Sequence, residues 1–365
     1  MKKIVISGIN AKEGGVLSIM HDFLSELSKN YGLEYTLIAL VHNKNLFQNI
    51  QNVQFIEFPK SKKRWFYRFY YEFIYFKNFS KKLNPYIWIS LHDLSPNIYA
   101  EKKFVYCHNV AHYNKQKISD FLLSPTEYIF SYLYKYLYFI NIKKNNWVIV
   151  QEELFKKFFL KNGIQNVIVA RPEFADYKQF VEPNGLERLP EYTFFYPSFP
   201  RIYKNFEIVI KAAETLEKNG LNNFKILFTF DEKTNIYAKK IVQSAKHLKS
   251  VEFLGIMPRE DVFQWYYTID SLLFTSNIES WGLPISEIKH FEKPIILVDL
   301  PYARENISTY KKAVFFEKDN FLQLADIMEK MMQNKVIYKP NENHVFQKPY
   351  CKNWTELVHY IIKNY

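Results

Sequence analysis

Short apolar, β-branched runs alternate with longer segments of helical period along almost the whole chain. Residues 4–7 read as a buried strand, 16–29 as an amphipathic helix and 35–41 as a second strand, so the chain opens as a βαβ unit. The same alternation predicts strands at 53–58, 87–90, 104–107, 147–151 and 166–170, with a helix over 125–142. Residues 171–190 break it: three prolines, a glycine and no period mark a linker. A second alternation follows, with strands at 192–196, 225–230, 251–254, 271–275, 294–298 and 313–316. Its helices fall at 205–218, 235–248, 259–268 and from about Gly282. Strands alternating with helices imply parallel sheets covered on both faces, here in two domains, 1–170 and 191–349. A last helical segment, 353–363, comes after a loop with Pro340 and Pro349, and residues 350–365 are expected to cross back onto the first domain.

Composition sharpens this picture. A chain of 365 residues is long enough for two domains with cores of their own, and 48% hydrophobic with 24% charged residues excludes disorder and low-complexity architecture. Lys and Arg exceed Asp and Glu by 49 to 37, giving a net charge of +12, which favours an anionic partner: nucleic acid, an acidic lipid surface or a phosphorylated small molecule. The two cysteines, Cys107 and Cys351, form no C-x-x-C pair, which argues against a metal cluster or disulfide framework and fits a reducing compartment. The apolar run at the N-terminus is too short for a secretory signal, and no window reaches the ~18 to 20 apolar residues of a spanning helix.

The chemistry is densest in 276–287, SNIESWGLPISE, after a buried strand and opening a helix. At the carboxyl end of a parallel strand, where open α/β sheets bind ligands, this loop offers Glu279 and then Gly282, where a backbone can approach a ligand closely. Pro284 suits a first helical turn, and the amides around Trp281, Gly282 and Leu283 suit a phosphate or diphosphate. Glu287 lies roughly 7 Å along the helix, so a nucleotide-sugar bound by its diphosphate would offer sugar hydroxyls to Glu279 and ribose hydroxyls to Glu287. The alternative is a capping carboxylate plus a solvated helix glutamate.

Two glutamates seven residues apart around S-W-G-L-P resemble the E-x7-E signature of retaining GT-B glycosyltransferases, the family 4 group. The stretches VEFLGIMPR (251–259), IDSLLFTS (269–276), KPII (293–296) and PYARE (301–305) are similar to their counterparts there, in order and at similar spacing. The resemblance covers most of the second domain and is thinner over the first. It implies two Rossmann-like β/α/β domains facing a central cleft. The second would bind the donor, with Glu279 on the transferred sugar, Glu287 on the ribose and Ile256, in VEFLGIMPR, among the donor contacts. Lys204-Asn205 matches the family's basic pair that neutralises the diphosphate. Phe199 stands where the family has an arginine, and Arg201 is the candidate substitute.

In the first domain Gly14-Gly15 is similar to the family's double glycine, where the loop approaches donor diphosphate and acceptor, although a plain strand-to-helix turn reads the same way. The spacing is not G-x-G-x-x-G, which argues against a nicotinamide dehydrogenase. His108, ending strand 104–107, looks like the family histidine that approaches the transferred sugar, and a structural histidine is the alternative. His92-Asp93 ends strand 87–90 in the same fashion, with Asp93 a candidate acceptor contact or a loop-ordering residue. None of these residues has a metal-ligand spacing, so neither a catalytic metal nor another cofactor is expected.

Residues 60–82 carry Lys60, Lys62, Lys63, Arg64, Arg68, Lys77, Lys81 and Lys82 against one acid, Glu72, with aromatics densely interleaved. Phe66, Phe69, Phe73 and Phe76 at helical spacing predict a partly buried stripe. The rest suits an anionic membrane surface, or equally a solvated basic rim. No nucleic-acid-binding motif accompanies it. The resemblance thus implies a retaining glycosyltransferase, cytoplasmic or peripheral at the inner face of a membrane, moving a sugar from a nucleoside diphosphate to a glycan or lipid-linked acceptor in surface polysaccharide synthesis. The alternatives are a nucleotide-sugar 2-epimerase of the same architecture or a non-catalytic donor-binding scaffold.

Overall fold

The computed structural model describes residues 1–12, 14–110, 117–171, 173, 186–341 and 344–363. The chain forms two units, each around one parallel sheet. The expected linker, 171–190, lies largely outside the described residues.

The first unit comprises Met1–His112, Tyr132–Ala175 and Phe346–Tyr365. In chain order it holds β1 (Lys3–Gly8), α1 (Gly14–Tyr31), β2 (Thr36–Val41), β3 (Val53–Glu57), α2 (Trp65–Tyr70), α3 (Phe76–Leu83), β4 (Ile87–Ser90) and β5 (Lys102–Cys107). There follow α4 (Pro125–Phe139), counted with this unit from Tyr132 onward, β6 (Trp147–Val150), α5 (Glu153–Lys161) and β7 (Val167–Ala170). The second unit holds β8 (Tyr192–Tyr196), α6 (Phe206–Lys218), β9 (Phe224–Phe228), α7 (Ile236–Ala245), β10 (Val251–Phe253) and α8 (Arg259–Thr268). It continues with β11 (Ser271–Phe274), α9 (Leu283–Lys289), β12 (Ile295–Val298), α10 (Pro301–Ile307), β13 (Ala313–Phe316) and α11 (Phe321–Met332). The chain then returns to the first unit as β14 (Tyr350–Cys351) and α12 (Trp354–Lys363).

The first sheet runs β14-β7-β6-β5-β4-β1-β2-β3 and the second β10-β9-β8-β11-β12-β13. Both contain the doubly wound order in which the first strand is central and the fourth is its neighbour on the other side. The strand order therefore reverses between β1 and β4 in one unit and between β8 and β11 in the other. At such a point adjacent loops leave the carboxyl edge toward opposite sides and open a crevice.

The inner strands are buried on both faces, as their Val, Ile, Leu and Phe content requires, whereas the edge strands β3 and β10 are partly exposed. Helix α1 packs on β1 so closely that a Cβ at Gly8 would meet the Met20 sulfur at 1.9 Å, which is why that strand ends in glycine. On α12, Trp354, Leu357, Val358, Ile361 and Ile362 are buried in the core that also takes residues of α1, β1 and β4. Their spacing is a one-sided helical stripe, and it docks the C-terminus on the first unit. Helices α5, α10 and α11 and strand β14 have no counterpart among the elements read from the sequence.

The basic aromatic segment departs from its expected form. Between α2 and α3 the residues Tyr71–Tyr75 form a π-helical turn. Phe66 is 72% exposed, and the inward positions are Arg68, Glu72, Phe76 and Ser80. Steps of four residues drift by ~40° each on an α-helix, and one wide turn takes up the drift, keeping all four on one face. The carbonyls the turn releases are met by Asn97, whose backbone N–H donates to Glu72 O at 2.8 Å and whose side chain donates to Phe73 O at 3.5 Å. The partly buried phenylalanine stripe is present, with Phe76 fully buried and Phe69 and Phe73 half-buried, but Phe66 is exposed and the most buried positions beside Phe76 are polar.

Candidate active site

In the second unit the candidate residues leave the two strands that flank the reversal of strand order. Strands β8 and β11 pair with Ser271 opposite Phe194 and Leu272 opposite Phe195, so their carboxyl ends lie side by side. The loop after β8 carries Arg201 and Lys204, and the loop after β11 carries Glu279. Tyr196 and Thr275 hydroxyls both donate to Lys204 O, at 2.8 and 3.1 Å, and Asn277 N–H donates to Tyr203 O at 2.7 Å. Asn205 adopts a left-handed conformation at φ 55°, turning the chain directly into α6. The two loops are thereby stitched together, and the Lys204 ammonium forms an ion pair with the Glu279 carboxylate, both side chains close to nine-tenths buried. The ammonium also lies 5.3 Å from the centre of the Phe274 ring.

Gly282 opens α9 at φ 83°, a conformation costly for any residue with a Cβ, and an added Cβ would crowd Ile285 and the Phe274 ring at 3.0 and 3.3 Å. The turn is held from behind. Asn306, on α10, donates to the carbonyls of Trp281 and Gly282 at 2.5 and 3.2 Å and accepts from the Ser286 hydroxyl at 3.1 Å. Ser286 in turn accepts from the Trp281 indole at 2.7 Å. Trp281 is therefore a buried anchor whose indole is used inside the domain. Leu283, first in α9, is half-buried, and Ile256, after Gly255, is exposed.

Glu287 is 4% exposed and already engaged. Arg259, at the start of α8, donates from Nε to its Oε1 at 3.0 Å and forms an ion pair with it, Nη2 lying 2.8 Å from the same oxygen, and Tyr266 donates to its Oε2 at 3.0 Å. Arg201 is apart from the Lys204–Glu279 pair: it donates to Glu127 at 2.7 Å, with its side chain 44% exposed.

In the first unit Gly14 and Gly15 are exposed and form the first turn of α1, with Gly14 at φ 64°. His108 follows β5 and is largely buried. Asp93 and His92 follow β4, and both are fully buried. The Asp93 carboxylate is consumed by the amides of His108 and Asn109 and the hydroxyls of Tyr134 and Tyr138. Its acceptor-contact reading is accordingly replaced by that of an internal brace. Among the described residues no group of three or more His, Cys, Asp or Glu side chains is arranged to hold a metal ion.

Residues 178–349 match the model of the family described as glycosyl transferases group 1. That stretch is similar to a group 1 glycosyltransferase domain. The solved structures with the same fold include Anabaena HepE in complex with UDP and glucose (14% identity, 92% of this chain and 90% of that one, TM-score 0.65). Sucrose-phosphate synthase from Thermosynechococcus elongatus is another (12% identity, 92% and 90%, TM-score 0.65). A Rickettsia africae glycosyltransferase is a third (16% identity, 91% and 88%, TM-score 0.61). At these identities the likeness shows the fold, two parallel-sheet α/β units of the GT-B kind. No curated protein sequence matches the chain.

Three residues around the glycosyltransferase site escaped the sequence reading: Asn306, Arg259 and Tyr266. Each sits 21 to 28 residues from the acid or turn it supports, and nothing local marks it. Arg259 and Asn306 did lie in or beside the stretches VEFLGIMPR and PYARE that carried the resemblance, the one signal that could have found them.

Proposed function

We propose that this glycosyltransferase moves a hexose or deoxyhexose from a nucleoside diphosphate to a glycan or lipid-linked acceptor with retention of anomeric configuration, in the assembly of surface polysaccharide. The observation that carries the reading is the Lys204–Glu279 pair at the reversal point of the second sheet, with Glu287 on the helix that follows. A buried ion pair of this kind is a poor source of stability, because each charge gives up its hydration to form it. It is a good source of exchangeable charge. A donor brings a diphosphate for the ammonium and sugar hydroxyls for the carboxylate, so both partners are met again and the pair separates at little net cost. Lys204 then stabilises the charge that develops on the diphosphate as the glycosidic bond breaks, which is leaving-group electrostatics. Arg201 can join it by leaving Glu127. In this reading side-chain cations, rather than a metal, meet that charge.

Glu287, oriented by Arg259 and Tyr266, is assigned to the ribose diol. Gly282, Leu283 and the backbone of Trp281 are assigned to the donor, as are Ile256 and the Gly14-Gly15 turn. His108 is assigned a hydroxyl of the transferred sugar. That Anabaena HepE was solved with UDP and glucose favours a uridine donor as the first to try.

The test is a panel of UDP-, GDP- and dTDP-sugars, with and without lipid-linked and glycan acceptors and with a chelator present. The expected result is acceptor-dependent nucleotide release that survives chelation, a product with the donor's anomeric configuration, and a loss of at least about a hundredfold in Lys204→Ala and Glu279→Ala. Turnover untouched by both substitutions would overturn the site. Epimerisation without acceptor would replace the reaction by that of a 2-epimerase, and binding without turnover by that of a scaffold.

The first unit adds an acidic lipid surface as a second partner in this reading. Phe66 and Ile74 project from α2 and the π-helical turn into solvent, with Tyr70 and Tyr75 partly exposed, beside exposed Lys62, Lys63, Arg64, Lys77, Lys81 and Lys82. Exposed aromatic and aliphatic side chains interleaved with cations match an anionic headgroup layer in both chemistry and charge.

A further inference from the structure

We propose that Asp93 is a positioning residue that fixes the His108 imidazole as the tautomer protonated on Nδ1, leaving Nε2 as a lone-pair acceptor for a substrate hydroxyl. The inference deepens the assignment of His108 made above and rests on it for the identity of the hydroxyl, but not for the tautomer.

The placement begins with strand register. β4 and β5 are adjacent and parallel, with Ser90 opposite Val105, so the segments that follow them leave the carboxyl edge side by side. Asp93 turns back there at φ 73°, a left-handed conformation that aspartate tolerates better than most residues. Its amide donates to Tyr106 O at 3.0 Å. Its Oδ1 accepts from the amides of His108 and Asn109 at 2.7 and 3.0 Å and from the Tyr138 hydroxyl at 3.3 Å. Its Oδ2 accepts from the Tyr134 hydroxyl at 2.9 Å. The carboxylate therefore has one orientation, and it holds the backbone from which the His108 ring projects.

The ring nitrogen turned toward it is Nδ1, which lies 3.8 Å from Asp93 Oδ1, is buried and has no hydrogen-bond partner among the described residues. At that separation the contact is electrostatic rather than a hydrogen bond. The sign of the contact still decides the tautomer. A bare Nδ1 would set its lone pair against a carboxylate, whereas an N–H there directs its positive end at the negative charge. The other nitrogen is then left to accept, and an accepting nitrogen selects a hydroxyl donor.

The contact requires Asp93 to be ionised. Burial pushes its carboxyl up, but the His108 ring when charged, the His108 amide, the Arg68 guanidinium and the Tyr134 hydroxyl outweigh burial and hold it below the ordinary aspartate value, and the last three still act when the ring is neutral. Arg68, on α2, is fixed close by: its Nη2 donates to His92 O at 2.8 Å. His92 stays neutral, since burial and then Arg68 press its value down to about 3.

The measurement is a long-range proton–nitrogen correlation spectrum of histidine-labelled protein at about pH 8, above the ordinary imidazole range. His108 is assigned by the signal that Gln substitution removes. We expect a protonated Nδ1 and a bare Nε2 in the native protein, a shift toward protonation of Nε2 in Asp93→Asn, and no change in Tyr134→Phe, which keeps the carboxylate. The signals of the other histidines report whether each variant is folded. In turnover, Asp93→Asn should lower kcat at least about tenfold while donor KM stays within about twofold. A His108 ring bare at Nδ1 in the native protein overturns the proposal, and so does a folded Asp93→Asn variant whose ring signals match the native ones. If His108→Gln leaves turnover unchanged while the tautomer is as expected, the fault lies with the role assigned to His108 and not with Asp93.

Discussion

Single residues carry the candidate site by pairing, and pairs are what one sequence shows least. Glu279 and Glu287 were legible because their spacing, the glycine and the proline sit within one short segment. Asn306 was not, because its work is done on carbonyls 24 and 25 residues away in the chain. Yet with no exposure at all it satisfies Trp281 O, Gly282 O and Ser286, and so sets the path of the glycine turn. Asn306→Ala removes its hydrogen bonds to Trp281 O and Gly282 O, and since the Ile285 N–H still donates to Gly282 O at 2.9 Å the cost is ~1–3 kcal/mol in all. If the turn contacts the donor, relaxing it weakens donor binding before it touches the chemistry. The expected outcome is a lowered melting temperature and a donor KM raised about tenfold, ~1.4 kcal/mol, with kcat falling less. Calorimetric donor affinity equal to that of the native protein would show that the turn is not part of the donor site.

At the scale of elements, long buried strands were read within a residue or two, because a strand covered on both faces is a continuous apolar run. Short helices such as α10 were missed: seven residues are two turns, too few for a periodic signal. Helices α2 and α3 were read only in part, for a more physical reason. The apolar period marks a partly buried stripe, and Phe69, Phe73 and Phe76 supply it, but it gives no sign that Arg68 and Glu72 are buried beside them, with Glu72 inside a π-helical turn. Glu72 sits 3.1 Å from His92 Nε2, and burial, only partly offset by Arg68, raises its carboxyl from 4.5 to about 8. Its sign in stability follows. Between those values the folded chain holds a proton that the unfolded chain has lost, so the contribution of Glu72 is fully present below about pH 4.5 and is lost as pH rises through about 8. Glu72→Gln keeps the shape of the neutral acid and removes the titration. Urea midpoints measured from acid to mildly alkaline pH should therefore fall less steeply in the variant than in the native protein. Parallel curves would mean that Glu72 is ionised in the folded state and pairs with Arg68 as a salt bridge.

For the whole molecule, two parallel sheets and a returning C-terminal helix follow from alternation and from the stripe on α12, whereas the surplus of positive charge has no explanation inside the fold. A net charge of +12 raises solubility and attracts anions, but it does not say where they bind. The face of α2 and the π-helical turn gives it a location, because there the cations stand beside the exposed side chains of Phe66 and Ile74. Among the described residues no helix is long and apolar enough to cross a membrane. Near an acidic surface each basic side chain is worth ~1 kcal/mol. Reversing Lys62, Lys63 and Arg64 to Glu removes three attractions and adds three repulsions. Flotation with phosphatidylglycerol-containing vesicles should then fall by at least about tenfold, while vesicles of phosphatidylcholine alone recover little of either protein. Raising salt should weaken the native protein's flotation, since exposed charges are screened within ~10 Å at 0.1 M. Phe66→Ser with Ile74→Ser should lower flotation even at low salt, because the apolar part of the contact is not screened. Charge-reversed protein that floats as well as native would move lipid contact elsewhere and return the basic segment to an ordinary solvated rim.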